Sequence, residues 1–174
     1  MRSLTDEARL REFMRELGRA ADGETRVYFT GGATAVLMGW RDSTLDADIR
    51  IVPDSDAVFR AIPALKERLH LNVELASPAD FIPELPGWSD RSPFIAREGM
   101  VSFHHYDFYS QALAKIERGH ERDRGDVAEM LARGLVEPAR LRELFEAIVP
   151  RLDRYPAIDP PSFRRALDAT LATR

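Results

Sequence analysis

Two adjacent glycines between apolar segments constrain the fold of this chain more than any other feature. Val27-Tyr28-Phe29 precedes Gly31-Gly32 and has strand character, whereas residues 32–40 have the composition of a short helix. A strand that enters a helix through a glycine turn directs free backbone N–H groups toward whatever lies above the turn. The sequence therefore predicts a strand–turn–helix unit, with Gly31 and Gly32 as candidates for binding phosphate.

Two aspartates lie on the strand predicted next, residues 44–52. Side chains alternate across a strand, so Asp46 and Asp48 point to one face while the apolar residues around them point to the other. Two carboxylates on one face suit Mg²⁺ (or Mn²⁺), because such an ion keeps other positions for the phosphate oxygens of a substrate. A phosphate-binding turn beside a metal site predicts nucleotide chemistry.

A further carboxylate is expected from a third predicted strand, residues 71–75. Asn72 and Glu74 face one side of this strand, and its apolar residues face the other. Glu74 is thus the candidate third carboxylate and the base for an incoming hydroxyl. A purely structural alternative stays open, in which the acids of an edge strand are solvated and the glycine pair is only a turn.

Composition limits the class of protein. A length of 174 residues fits one domain, and 44% hydrophobic with 31% charged residues is typical of a globular protein. The net charge of −4 argues against a general nucleic-acid binder, and the lack of cysteine excludes disulfides and cysteine nucleophiles. Residues 1–21 lack the apolar core of a signal peptide, and no stretch suits a membrane span. We therefore expect a cytoplasmic protein with no membrane partner.

The order of the predicted elements indicates the fold class. Periodicity predicts a strand at 25–30, a hairpin at 94–109 and helices at 4–21, 108–118, 121–133, 138–149 and 162–172, besides a helix after 56 with a kink or restart at Pro63. This order predicts an α/β (α+β) fold with a small mixed sheet flanked by helices. We expect a single domain over 1–174, in which 1–107 form the core and 108–174 a helical part packed on it.

A second group of charged residues follows the hairpin: Lys115, Arg118, Arg122 and Asp126. On a continuous helix their spacing gives one stripe, although Gly119 interrupts the pattern. Such a cationic stripe suits a triphosphate, with Lys115 as the main phosphate contact and Arg118 beside it. Asp123 and Asp126 would pair with the cations and fix their rotamers. A solvated face of paired charges is the structural alternative.

The loop before the second strand contributes two more candidates. Arg41 would meet a triphosphate or remain a surface charge, and the sequence leaves both open. Thr44 would orient Asp46 or a metal-bound water, or it reflects only strand propensity.

Adjacent histidines occur in the predicted hairpin. His104 and His105 face opposite ways on a strand and make a poor chelate, so we interpret them as structural.

The ordered motifs resemble a known fold. Gly31-Gly32, followed about a dozen residues later by Asp46-Ala47-Asp48 between apolar residues, resembles the polymerase-beta-like nucleotidyltransferase fold. The more particular resemblance is to minimal nucleotidyltransferases related to the AbiEii toxins and to uncharacterised bacterial families. It rests also on Thr44, on Leu71-Asn72-Val73-Glu74-Leu75-Ala76-Ser77-Pro78-Ala79-Asp80-Phe81, and on Ala112-Leu113-Ala114-Lys115-Ile116-Glu117-Arg118 followed by Arg122-Asp123 and Asp126. It extends over roughly residues 25–150.

The resemblance implies a function and assigns residues to it. It implies a Mg-dependent enzyme that binds ATP or another NTP and moves a nucleotide to an acceptor hydroxyl on tRNA or protein. It further implies the toxin half of a toxin–antitoxin pair, with a cognate antitoxin or partner protein. A lysine and an aspartate of the C-terminal region belong to the active site in these relatives, and Lys115 and Asp126 match them, with Asp123 as the other candidate aspartate.

One departure defines the rival interpretations. Many active members carry serine at the second glycine position, where the hydroxyl contacts phosphate, whereas Gly32 offers only its backbone N–H. The alternative to an enzyme is a catalytically degenerate binding module, acting as an antitoxin or a ligand sensor. A third alternative is an interaction protein that uses its helical C-terminal half.

Overall fold

The computed structural model of the chain describes residues 3–172 and divides into two compact units. The first runs to Ser77 and resumes at Ser92–Tyr106, and the second comprises Pro78–Arg91 and the chain from Asp107 onward. The second unit therefore includes residues 78–91, which the sequence had placed with the sheet. No helix within residues 3–172 is both long and apolar enough to span a membrane.

A five-stranded mixed sheet forms the centre of the first unit, in the order β3-β2-β1-β5-β4. Its strands are β1 (Thr25–Thr30), β2 (Asp46–Val52), β3 (Asn72–Leu75), β4 (Phe94–Glu98) and β5 (Val101–His105). β2 runs antiparallel to β1 and parallel to β3, while β5 runs parallel to β1 and antiparallel to β4. The predicted hairpin is the β4–β5 pair. The predicted α/β (α+β) class with a small mixed sheet is confirmed.

Three helices belong to the first unit: α1 (Glu7–Ala20), α2 (Gly31–Met38) and α3 (Asp56–Leu69). α1 begins at Asp6, whose side chain accepts a hydrogen bond from the backbone N–H of Arg9 at 2.9 Å. The apolar stripe of α1 packs into one buried cluster with α3 and one face of the sheet. On β2, the opposite face carries Asp46, Asp48 and Arg50.

Pro63 lies inside α3, which continues past it as one helix, so the restart that the sequence allowed does not occur and the alternative kink stays a prediction. Proline removes one backbone donor and costs about 3 kcal/mol within a helix. Val58, Ile62, Leu65 and Leu69 are nevertheless all buried on one side of α3. Each such side chain contributes roughly 1.5–3 kcal/mol on burial, so packing outweighs the lost hydrogen bond and no restart occurs.

The second unit is helical. Its helices are α4 (Phe108–Arg118), α5 (Glu121–Ala132), α6 (Pro138–Ile148) and α7 (Pro160–Ala172), with short 3₁₀ turns at Pro78–Asp80 and Val149–Arg154. α4 begins at Asp107, which is fully buried and receives two hydrogen bonds from the Arg91 guanidinium at 3.1 and 2.8 Å. This pair ties residues 78–91 to the helices of the unit.

Candidate functional site

The two aspartates of β2 lie on its polar face, as the alternation predicted. Asp46, Asp48 and Arg50 are partly exposed, whereas Ala47, Ile49 and Ile51 between them are buried. The Arg50 guanidinium donates to the Tyr106 hydroxyl at 3.2 Å. The carboxylates are therefore accessible to a ligand while the backbone that carries them is fixed in the core.

Asn72 connects the carboxylates of neighbouring strands. In the β2–β3 register Asp46 lies opposite Asn72, and Asp48 lies opposite Glu74. The Asn72 side-chain amide donates to Asp46 Oδ1 at 2.6 Å and to Glu74 Oε1 at 3.2 Å. Asn72 was expected on the same strand face as Glu74, but no contact with Asp46 was predicted for it. The signal in the sequence was that Asn72 and Glu74 are two positions apart on one strand, which places both side chains on the same face.

A convergent cluster of three carboxylates is not formed. Across residues 3–172, no group of three or more histidine, aspartate or glutamate side chains is arranged to hold a metal ion. Glu74 is exposed and engaged by Asn72. Its use as a third carboxylate or base stays a prediction.

The glycine turn lies directly beside the second aspartate. β1 ends at Thr30, which pairs with Asp48 across the sheet, and α2 begins at Gly31. Gly31 has a φ of +62°, and a Cβ built on it would lie 3.1 Å from Asp48 Oδ2. A left-handed backbone and a close carboxylate both favour glycine at this position. The Asp48 carboxylate therefore lies next to the start of α2.

Thr44 and Arg41 occupy the space next to Gly32. A Cβ on Gly32 would lie 2.1 Å from Thr44 Oγ1 and 3.5 Å from Arg41 Nη1. The Thr44 hydroxyl donates to the backbone carbonyl of Asp46 at 3.1 Å, and its backbone pairs with Thr5 through hydrogen bonds of 2.7 and 2.9 Å. The structure therefore gathers the predicted turn, loop and strand residues into one polar site of the first unit.

The charged residues after the hairpin form a separate cluster within the second unit. Gly119, with a φ of +72°, ends α4, and α5 begins at Glu121. The predicted stripe is therefore not on one continuous helix. The break instead allows Asp123 and Asp126 of α5 to pair with cations of α4.

Lys115 is buried in that cluster between two carboxylates. Its ammonium lies 2.8 Å from Asp126 Oδ2 and 3.4 Å from Asp123 Oδ1. Arg118 donates to both oxygens of Asp123, at 2.8 and 2.6 Å. Burial alone would raise the pKa of Asp123, but the hydrogen bonds and charges of Arg118 and Lys115 hold it below its usual value. The predicted pairing is confirmed, whereas the contact of Lys115 with a triphosphate stays a prediction.

A comparison with known families decides the class of protein. The family described as "Nucleotidyltransferase of unknown function (DUF6036)" matches residues 8–155, most of the chain. The chain belongs to this family. No curated protein and no solved structure matches the chain. The nucleotidyltransferase resemblance and fold expected from the glycine and aspartate motifs are confirmed, while the closer relation to the AbiEii toxins stays a prediction.

His104 and His105 are adjacent on β5 and point to opposite faces of it. His105 is buried, and its Nδ1 lies 3.1 Å from the Thr34 hydroxyl. Burial, with the nearby charges of Arg11 and His104, lowers the pKa of His105 to about 4, so it is neutral near pH 7. His104 stacks on Tyr28 with ring centroids 5.3 Å apart. Both contacts agree with structural roles.

The close approach of Thr44 to Gly32 yields a stability prediction. We expect Gly32→Ala to lower the free energy of unfolding by about 1–3 kcal/mol, because the added methyl overlaps the Thr44 side chain. In a Thr44→Gly background the same change should cost less, since both overlapping atoms are gone. Urea unfolding of the four proteins measures the coupling. Gly23→Ala is the control, with open space around the new methyl, and equal losses in both backgrounds would refute the prediction.

Proposed function

We propose that this protein transfers a nucleotide from an NTP to an acceptor hydroxyl with the help of Mg²⁺ or Mn²⁺. The observation that carries the proposal is the meeting of Asp48 with the start of α2. Asp48 Oδ2 lies 3.1 Å from the position of a Cβ on Gly31, and Asp46 shares the face of β2. Metal carboxylates beside a phosphate-binding helix start are the parts that nucleotidyl transfer requires.

The donor set suits Mg²⁺. This ion prefers oxygen ligands and commonly takes only one or two carboxylates, with the remaining positions filled by water and substrate phosphate. Asp46 and Asp48 meet that requirement, and the Asn72 amide at 2.6 Å fixes one oxygen of Asp46. When bound, the ion would neutralise phosphate charge as the leaving group departs.

The chain's own residues would divide the remaining work. Backbone N–H groups at Gly31 and Gly32 would bind phosphate oxygens, with the Arg41 guanidinium adding charge. The acceptor oxygen would attack the α-phosphorus, its proton would pass to the Glu74 carboxylate, and pyrophosphate would leave. Lys115 and Arg118 remain the candidates for offsetting triphosphate charge, with Asp126 holding Lys115.

A catalytically degenerate binding module is the second candidate. It is favoured by the lack, within the described part of the chain, of any cluster of three potential metal ligands. It is also favoured by the absence of space for a side chain on Gly32. Such a protein would bind a nucleotide as an antitoxin or sensor without transferring it.

The acceptor and the biological role are proposed from resemblance. The likeness to the AbiEii relatives supports tRNA or a protein as the acceptor, and a toxin with a cognate antitoxin as the setting. A net charge of −4 does not favour broad RNA binding, so an RNA acceptor would have to be held locally.

Labelling distinguishes the two functions. We expect one of the four NTPs labelled at the α-phosphate, with Mg²⁺, to label total tRNA, a partner protein or the protein itself, and EDTA to abolish the labelling. A γ-labelled NTP is the control, because nucleotidyl transfer releases that phosphate. Nucleotide binding without α-label transfer to any acceptor would instead support the binding module.

A further inference from the structure

Phe81 is an exposed aromatic residue in a segment that is otherwise anchored. Its side chain is 44% exposed, whereas Ile82, Leu85 and Trp88 after it are buried. The segment is held by further bonds, including one from the Tyr155 hydroxyl to the carbonyl of Ala79 at 2.9 Å. Phe81 is therefore displayed from a fixed backbone.

The guanidinium of Arg118 lies over the Phe81 ring, 5.8 Å from its centroid. Arg118 is itself held by both oxygens of Asp123, at 2.8 and 2.6 Å, and the Asp123 side chain is only 5% exposed. Bidentate pairing fixes the plane of a guanidinium. The side chain of Arg118 nevertheless remains 43% exposed. A planar cation and a phenyl ring thus form a rigid, accessible surface in the second unit.

We propose that Phe81 and Arg118 form a stacking site for an unpaired nucleobase. Unstacked bases bind on aromatic rings and on guanidinium planes, and every base offers a π face to such a surface. This inference rests on the proposed function, which supplies a nucleobase both in the NTP and at an RNA end. The stacking site would hold the base of either ligand.

Phe81 adds little to the packing of its own segment. Its ring is 44% exposed, whereas the neighbouring Ile82 has no exposed surface. Arg118 does not need the ring for its position, because both oxygens of Asp123 already hold the guanidinium. The exposed ring and the fixed guanidinium are therefore open to a planar ligand.

Binding of base-containing ligands to the full-length chain tests the site, without Mg²⁺ and without any transfer step. Ligand-observed NMR titrations would compare adenosine, ATP, the single-stranded trinucleotide CCA and inorganic triphosphate. We expect Phe81→Leu to weaken binding of the base-containing ligands about tenfold or more, because leucine keeps apolar volume but lacks a π face. Phe81→Trp should retain binding, and triphosphate should not respond to either change.

The ligands whose binding is weakened by Phe81→Leu identify the source of the base. Sensitivity of adenosine and ATP assigns the site to the NTP, and sensitivity of CCA assigns it to an RNA end. Phe94→Leu is the matched control, since Phe94 is 62% exposed in the first unit. Equal binding by wild type and Phe81→Leu, or no binding of any base-containing ligand by wild type, would overturn the site. Failed transfer with intact Phe81-dependent binding would count only against the proposed enzyme.

Discussion

Replacing Asp46 and Asp48 by asparagine is expected to abolish transfer of α-labelled nucleotide while leaving the protein folded. Asparagine keeps the shape of aspartate and removes its charge, so the β2 face would lose the metal binding that we propose for it. Loss of metal assistance is worth several kcal/mol, which corresponds to a fall in rate on the order of a thousandfold. The measurement is α-label incorporation at saturating Mg²⁺ by each single variant and by the double variant.

The folded state should tolerate these substitutions. Asp46 and Asp48 are partly exposed, and an asparagine carbonyl at position 46 can still accept the hydrogen bond from Asn72. Thermal unfolding should therefore stay close to that of wild type. Asp42→Asn is the matched control, because Asp42 is an exposed acid of the preceding loop. Undiminished labelling by the double variant would show that these carboxylates are not the catalytic pair.

The parts of the site that depend on local residue spacing could be predicted from the sequence. The alternation of β2 assigned Asp46 and Asp48 to one face, and the glycine pair marked the start of α2, because both features are properties of a few consecutive residues. Asn72 acquired its bridging role only through the parallel register of β2 and β3. Such a register depends on the whole sheet and cannot be predicted from residues 71–75 alone.

Other features depended on distances between segments. The contact of Thr44 with the space above Gly32 joins a loop and a turn, and it offers a steric reason for a glycine where a serine was expected. The residue spacing identified the charged cluster after the hairpin. The pairing of its members, however, depends on the turn at Gly119, which separates α4 from α5, so a single continuous helix is the wrong description. The helix restart allowed at Pro63 does not occur, because tertiary burial outweighs the local propensity of proline.

Breaking the buried pair of Lys115 and Asp126 is expected to cost more stability than breaking an exposed ion pair of the described chain. The two side chains are 7% and 3% exposed, with the ammonium 2.8 Å from the carboxylate. Removing Lys115 takes the ammonium away from the buried Asp126 carboxylate, and breaking a buried pair in this way typically costs about 3–5 kcal/mol. We therefore expect Lys115→Met to lower the free energy of unfolding by about that amount in urea titrations, and Asp126→Asn to cost less, because Asp123 Oδ1 still lies 3.4 Å from the ammonium.

The cost should be strongly non-additive. In Lys115→Met/Asp126→Asn neither of these two charges remains, while Asp123 keeps its bidentate partner Arg118, so the double variant should be more stable than the sum of the single losses predicts. Lys66→Met is the control for loss of a lysine, because Lys66 is only partly buried. If each single variant unfolds like wild type, the cluster is not a stabilising element.

The same variants separate a structural Lys115 from a phosphate-binding one. NTP binding by Lys115→Met is measured below its unfolding transition, where lost affinity reports a ligand contact and unchanged affinity with lower stability reports a structural cation. Acid titration adds an independent readout. Because the folded pKa of Asp123 lies below its ordinary value, its contribution to stability is full above the ordinary pKa and is lost as the pH falls through the folded value. Lys115→Met removes a cation that lowers this pKa, so acid unfolding should shift to higher pH.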